Sequence, residues 1–246
     1  MLHLHRLSIG YREHLVAQSL TASLPKATLT ALVGRNGSGK STLLRTVCGL
    51  QRPLEGKVTV TGDDGGEKRI GPKTVSVVLT PSRYLAPAIS VADTVALGRI
   101  PYTTLGGRLA ADDHRAIEKA MEICGIGALR DRNLNTLSDG ERQRVLLART
   151  IAQDTPVIIL DEPTVFLDYS ARVQTMMLLR HLCTTEQKTI LFSTHELETA
   201  LPAVDTVWAM AESTAETEAT STLLTGDART LIAEGTINRI FPEYKS

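Results

Sequence analysis

The chain has 246 residues, 42% of them hydrophobic, with 27 basic and 27 acidic residues and no formal net charge. This length suits one sizeable domain, or a core that carries an inserted subdomain, and the composition excludes wholesale disorder. No dense basic run appears, which argues against nucleic acid as a partner, because a phosphate backbone demands clustered Lys and Arg.

Three scattered cysteines, Cys48, Cys124 and Cys183, favour a reduced, cytosolic compartment. The first residues contain no apolar stretch typical of a secretory signal, and no segment approaches the length of a membrane span. We therefore expect any membrane role to come through a partner protein.

The N-terminal third predicts several short strands, bounded by turn residues and with partly alternating apolar positions. The predicted strands lie at 2–9, 15–24, 28–33, 57–61 and 74–79. We expect all of these except 28–33 to form an antiparallel sheet that flanks the glycine-rich loop after residue 33.

That loop is the run GRNGSGKST, which fits the pattern G-x-x-x-x-G-K-[ST] between an apolar strand and a helix. Glycines let successive amide N–H groups converge on phosphate oxygens at the positive end of the helix. Lys40 is expected to reach the β- and γ-phosphates, and the Ser41 hydroxyl to bind Mg²⁺. The alternative is a glycine-rich turn with a surface lysine. The predicted ATP-binding residues are Gly34, Arg35, Asn36, Gly37, Ser38, Gly39, Lys40, Ser41 and Thr42.

Helical spacing dominates from 91 to 152, and after it strands and helices alternate again. The predicted helices lie at 91–98, 112–124, 141–152 and 170–183, and the later strands at 157–160, 189–193 and 206–210. The pattern predicts an α/β fold of the P-loop NTPase type, with a parallel-sheet core, an antiparallel β flank and an inserted helical subdomain.

We predict a single domain with two parts. Residues 1–84 and 153–246 form the nucleotide-binding core and its flank, and residues 85–152 form the helical subdomain. The segment 212–222, rich in Ala, Glu, Ser and Thr, is interpreted as a solvated loop or hairpin tip.

Two carboxylates, Asp161 and Glu162, follow the apolar strand at 157–160. Ligands lie beyond the carboxyl ends of parallel strands, so Asp161 is placed to hold Mg²⁺ and Glu162 to orient or deprotonate the attacking water. Taken without the glycine-rich loop, the same motif would be interpreted as an exposed acidic turn.

The segment LSDGERQR begins at Leu137 and has two interpretations. Ser138 and Glu141 form the capping box S-x-x-E at the start of a helix. The same helix start is an anion site, and it could hold the γ-phosphate presented by a second molecule.

Together, GRNGSGKST, LSDGERQR, VIILDEP and STHE (193–196) resemble, over essentially the whole chain, the ATP-binding subunit of an ABC transporter. The resemblance implies that His195 contacts the γ-phosphate, so the catalytic residues would be Glu162, His195 and Lys40. It implies that Tyr11 stacks on adenine and that Asp168, in the loop 166–168, lies at a dimer interface. Alone, His195 would be interpreted as an ordinary strand-end histidine and Tyr11 as a turn tyrosine. The residues implied to bind ATP held by the opposite subunit are Leu137, Ser138, Asp139, Gly140 and Glu141.

The chain departs from the family pattern in two places. The glutamine that usually ends the strand at 74–79 is absent, and Pro81 or Ser82 stands there; we expect water or Ser82 to fill the Mg²⁺ position. Asp139 and Glu141 stand where glycine and glutamine are usual, and we expect Asp139 to point away from the phosphate.

The resemblance implies a two-fold pair of chains with ATP between them, together with Mg²⁺. Segments around 95–102 and 162–169 resemble the importer group for iron–siderophores, haem and cobalamin. Its ATPase works with a dimeric membrane permease at the cytoplasmic face of the inner membrane, and indirectly with a substrate-binding protein. Nothing in the sequence chooses among those cargoes.

Two other hypotheses stay open. One is a soluble ABC ATPase of a complex-assembly system such as Fe–S cluster assembly. The other is a nucleotide kinase, which would have no use for 137–141. A DNA-repair ABC ATPase is disfavoured because no long heptad insert separates the two halves.

Overall fold

The computed structural model describes residues 1–12, 14–62, 65–79, 88–103, 107–212 and 221–241. Within those ranges, ten strands form one mixed sheet. The strands are β1 (Leu2–Tyr11), β2 (His14–Leu24), β3 (Leu29–Gly34), β4 (Glu55–Thr61), β5 (Glu67–Arg69), β6 (Val75–Val78), β7 (Val157–Leu160), β8 (Thr189–Thr194), β9 (Thr206–Glu212) and β10 (Ser221–Asp227). The α-helices are α1 (Lys40–Val47), α2 (Val91–Ala96), α3 (Ala111–Ile123), α4 (Asp139–Ala152), α5 (Tyr169–Thr184), α6 (Leu197–Ala200), α7 (Ala228–Ala233) and α8 (Thr236–Ile240).

The strand order is β5-β4-β1-β2-β10-β9-β3-β8-β7-β6. Strands β9, β3, β8, β7 and β6 pair in parallel, while β1, β2, β4 and β5 form antiparallel pairs. This arrangement agrees with the predicted parallel core and antiparallel flank. A parallel pairing of β10 with β2, at Ser221 and Ala17, joins the two parts into one sheet.

The prediction for the strand at 74–79 is wrong in one respect. It was expected in the antiparallel flank, but β6 pairs in parallel with β7 at the far edge of the core. Strands that are consecutive in the sequence are neighbours more often than not, so the flank was the simpler interpretation. The turn at 71–74 instead carries the chain to the edge of the core, where Val75, Ser76 and Val78 are buried.

The central parallel strands are buried on both faces, which explains their continuous apolar sequences. In β8, Ile190 and Phe192 face one hydrophobic layer and Leu191 faces the other. The first layer also contains buried residues of α2, α3, α4 and α5, and the second contains α1 and the flank. Helix α1 therefore lies between the core and the flank, directly after the glycine-rich loop.

Most predicted elements are present with shifted ends, whereas β5, β10 and the short helices α6, α7 and α8 were not predicted. Residues 213–220 of the presumed hairpin tip lie outside the described residues, but β9 and β10 on either side of it pair antiparallel, Glu212 opposite Ser221. Across the part of the chain that the structure describes, every helix is too short or too polar to cross a bilayer.

Candidate functional site

The glycine-rich loop turns sharply between β3 and α1. A Cβ added at Gly34 would lie 2.5 Å from the Ser38 hydroxyl, and one at Gly39 would lie 2.3 Å from Cγ1 of Val16. Gly39 also has a positive φ of 94°, a region that favours glycine. The loop is therefore built around positions that exclude larger side chains.

The start of α1 leaves polar groups available to a ligand. Gly39 is the N-cap and supplies no side-chain hydrogen bond to the first turn. The Ser38 hydroxyl is buried and has no hydrogen-bond partner among the described residues. Free donors at a helix N-terminus suit a phosphate group, so this loop fits the triphosphate of a nucleotide.

Lys40 points its ammonium group into the loop. Its Nζ donates hydrogen bonds to the carbonyl oxygens of Gly34 at 2.7 Å and Arg35 at 3.1 Å. Burial lowers the pKa of Lys40, and the nearby carboxylates of Glu162 and Asp161 oppose that shift. The structure thus brings the lysine of the loop and the two carboxylates after β7 into one electrostatic environment.

Asp161 sits at the end of β7, where its backbone N–H donates to the Val78 carbonyl at 2.8 Å. Its carboxylate accepts a hydrogen bond from the Ser193 hydroxyl at 2.6 Å and lies 3.5 Å from the Ser41 hydroxyl. A hydroxyl and a carboxylate are hard oxygen donors of the kind that Mg²⁺ prefers. Among the described residues, no cluster of three or more His, Cys, Asp and Glu could hold a metal alone. That donor set suits a Mg²⁺ ion that also binds phosphate oxygens.

Glu162 and His195 approach each other beside this pair. The Nδ1 atom of His195 lies 3.4 Å from Oε1 of Glu162. Glu162 has a φ of 48°, in the left-handed region, and its backbone N–H donates to the Ser193 hydroxyl at 2.9 Å. Such backbone strain in a non-glycine residue persists where the surrounding structure fixes it, and it clusters at functional sites.

Ser193 therefore holds both carboxylate residues, a role that its sequence position alone did not predict. Its hydroxyl donates to Asp161 and accepts from the Glu162 backbone. The signal available in the sequence was its position at the end of β8, directly before Thr194 and His195. A serine at a strand end is too common to single out without the neighbouring strand.

Tyr11 lies beside the start of α1, although it is far from that helix in sequence. Its hydroxyl is 3.3 Å from the Thr42 hydroxyl and accepts a hydrogen bond from Arg45 at 3.4 Å. The hydrogen bond with Thr42 is the main reason that the pKa of Tyr11 is lowered. Tyr11 as a whole is 48% exposed, so a flat ligand could stack on its ring.

The segment 137–141 lies elsewhere. Ser138 caps α4, and with Glu141 it forms the expected capping box. These residues and Asp168 line a cleft of about 390 Å³. A separate cleft of about 820 Å³ is lined by Gly34 to Asn36, by the segment 194–199 and by Arg172. Residues 138–141 and the glycine-rich loop therefore line different clefts of the chain.

Two further candidates have roles within the chain. Asp168 is the N-cap of α5 and accepts a hydrogen bond from the Ala171 N–H at 2.8 Å. Asp139 is exposed, and its carboxylate lies 3.8 Å from the guanidinium of Arg142. Pro81 and Ser82, which replace the expected glutamine, lie outside the described residues.

Comparisons with known proteins agree with this geometry. A family model described as ABC transporter matches residues 17–165. The achromobactin transport ATP-binding protein CbrD of Dickeya dadantii is 36% identical over 210 residues, covering 85% of this chain and 78% of that protein. The thiamine import ATP-binding protein ThiQ of a Jannaschia species is 35% identical over 207 residues, covering 84% and 87%. A solved structure described as a metal-chelate type ABC transporter, facing inward, superposes with a TM-score of 0.81 at 27% identity, over 98% of this chain and 88% of that one.

Proposed function

The chain belongs to the ABC transporter family and is an ATPase of that family, and we propose that it energises import of an iron–siderophore, haem or cobalamin-type chelate. The observation that carries the ATPase assignment is that the Ser41 hydroxyl lies 3.5 Å from the Asp161 carboxylate while His195 lies 3.4 Å from the adjacent Glu162. The cargo class is supported by the similarity to an achromobactin transport protein and to a metal-chelate type transporter.

In this proposal the loop 34–42 holds the triphosphate and Tyr11 stacks on the adenine ring. Glu162 orients the attacking water, and His195 contacts the γ-phosphate. Ser41 and Asp161 would hold Mg²⁺, which neutralises charge on the phosphate oxygens when it is bound. Ser193 holds Asp161 and Glu162 in place.

The second copy of the chain completes each site. Residues 138–141 line a different cleft from residues 34–36, which supports an arrangement in which two chains face each other and a γ-phosphate contacts both segments. A two-fold axis makes the two contacts equivalent. ATP then stabilises the closed pair, and hydrolysis removes the bridge. The loop 166–168 would lie at that interface, with Asp168 at its end.

We also propose the partners and the place of action. A dimeric integral membrane permease would bind the helical subdomain, residues 85–152, and hold the ATPase at the cytoplasmic face of the inner membrane. The rest of the chain, residues 1–84 and 153–246, would be the nucleotide-binding core and its flank. A substrate-binding protein would act indirectly, through the permease.

The first experiment tests ATP-driven pairing. Glu162→Gln should abolish hydrolysis and give a stable dimer with MgATP but not with MgADP, measured by light scattering after size exclusion. Lys40→Ala in the same background should remove the dimer, because the phosphates lose their cation. A chain that stays monomeric with MgATP, or that dimerises equally with MgADP, would contradict the scheme.

The second experiment addresses the cargo. The tagged chain is purified from membranes with its permease and reconstituted in vesicles, and ATP hydrolysis is measured with a ferric siderophore, haem, cobalamin or thiamine offered with the substrate-binding protein. Stimulation by a chelate supports the proposal. Stimulation by thiamine alone, or recovery of a soluble scaffold in place of a permease, would overturn the cargo assignment and leave the ATPase assignment intact.

A further inference from the structure

Arg172, near the start of α5, contacts two loops of the candidate site at once. Its Nε donates a hydrogen bond to the Leu167 carbonyl at 2.8 Å. Its terminal nitrogen lies 2.9 Å from Oε1 of Glu196, which directly follows His195. A guanidinium group has donors in fixed, divergent directions, so one side chain can hold two acceptors in a defined geometry.

Glu196 is held from other sides as well. Its backbone N–H donates to the Thr194 hydroxyl at 3.0 Å, and its second carboxylate oxygen lies 3.5 Å from the Thr164 hydroxyl. The Glu196 side chain is 18% exposed, so its pairing with Arg172 is partly shielded from water. Such pairs are stronger than fully exposed ones.

These contacts close a ring that includes Glu162 and His195. The chain runs from Glu162 to Leu167, Arg172 links Leu167 to Glu196, and His195 returns to Glu162 across 3.4 Å. Within that run both Glu162 and Phe166 have positive φ values, 48° and 66°. A loop with two such residues needs outside contacts to keep its conformation.

We propose that Arg172 and Glu196 are positioning residues for ATP hydrolysis, whose ion pair fixes the loop bearing His195 against the loop bearing Glu162. The proposal rests on the function proposed above and deepens it. In this proposal both residues act through protein groups, namely the loops that carry Glu162 and His195. Arg172 lines the same cleft as the glycine-rich loop, but its interactions are with protein groups.

The test uses the full chain and two single variants, Arg172→Ala and Glu196→Gln. The matched control is Arg180→Ala, which removes another ion pair of α5, the one between Arg180 and Asp205 at 2.6 Å. We expect kcat to fall about tenfold in each test variant, because a small displacement of catalytic groups is costly. Binding of MgATP, measured with a fluorescent analogue, should stay within about twofold, and the Tm should match that of the control.

Any of three results would overturn the positioning role. The first is a kcat within about twofold of wild type in the test variants, and the second is an equal loss of kcat in Arg180→Ala. The third is a double variant, Arg172→Ala with Glu196→Gln, whose fold-loss in kcat is the product of the two single losses. If the two residues act as one unit, the double variant should instead lose no more kcat than Arg172→Ala loses alone. If Arg172→Ala does not fold, Glu196→Gln, which keeps size and shape, carries the test. An inert wild type would overturn the proposed function itself; an active wild type silenced by Glu162→Gln but insensitive to these changes would overturn the positioning role alone.

Discussion

The hydroxyl of Ser138 donates a hydrogen bond to the Glu141 carboxylate at 2.9 Å, and the Ser138 backbone N–H donates to the same oxygen at 2.9 Å. In return, the Glu141 N–H donates to the Ser138 hydroxyl at 3.3 Å. A serine hydroxyl has one proton to give. A phosphate that needs the proton of Ser138 must therefore compete with Glu141.

Glu141→Gln should strengthen ATP-driven pairing of two chains. A neutral amide oxygen is a weaker acceptor than a carboxylate, so Ser138 gives up its hydrogen bond more easily, and we expect about fivefold less ATP at half-maximal dimer formation. The measurement is an ATP titration in the Glu162→Gln background. Asp139→Gly removes a neighbouring charge without touching Ser138 and should change the midpoint less than about twofold. Equal gains from both variants would show that charge alone is responsible.

Ser193→Ala should lower kcat by about tenfold or more, because both Asp161 and the Glu162 backbone lose a hydrogen bond. The matched control is Ser76→Ala, a buried serine of β6 whose hydroxyl accepts a hydrogen bond from Thr155 at 2.8 Å. Steady-state hydrolysis and Tm are measured for both. A fall in kcat of the same size in the two variants would contradict a specific role for Ser193.

Asp113→Ala should destabilise the helical part of the chain. Asp113 and Arg99 form an ion pair at 2.8 Å, with side chains 6% and 8% exposed, and Arg99 also donates to the Ala152 carbonyl. Removing one partner leaves a buried charge, and we expect Tm to fall by roughly 10 °C. In Asp112→Ala, an exposed pair with Arg115 is lost, and Tm should change by less than about 2 °C. Similar shifts of Tm in Asp113→Ala and Asp112→Ala would show that the buried pair contributes no more to stability than the exposed one.

Alkaline pH should weaken the fold through two buried thiols. Burial raises the pKa of Cys124 and of Cys183 from 9.0 to about 12 each. The stabilising contribution of each thiol is complete below the thiol pKa of the unfolded chain, 9.0, and is lost as the pH rises towards 12. Each thiol lowers the free energy of unfolding by at most about 1.4 kcal/mol per pH unit in that window. Urea unfolding at several pH values gives the free energy of unfolding as a function of pH. Above pH 9 this free energy should fall less steeply with pH in a Cys124→Ala, Cys183→Ala variant than in the wild type. An equally steep fall would refute the thiol contribution.

Sequence patterns were sufficient to predict the central strands of the sheet and the protein family. The apolar runs at 157–160 and 189–193 predicted β7 and β8 because strands buried on both faces leave a continuous signal. The family resemblance and the fold class, both drawn from the motifs and their order, are confirmed by the comparisons. The roles of single site residues stay predictions.

What the sequence could not predict are relationships between distant segments. The direction of β6 depends on which strand it meets, and nothing in its own residues specifies a parallel partner. Ser193 and Arg172 have ordinary local settings, and their roles depend on side chains that folding brings to them. The helices α6, α7 and α8 are too short for their periodicity to be recognised.

The connection of β2 to the core through β10 has a consequence for biosynthesis. The strands made first, β1 and β2, join the sheet beside β3 only through β10 and β9, which leave the ribosome among the last. Long-range pairings of this kind form late and slowly. A nascent chain that stops before Ser221 therefore carries Tyr11 and Lys40 without the strand that joins their halves of the sheet, and the packing of α1 against the flank is what still connects them.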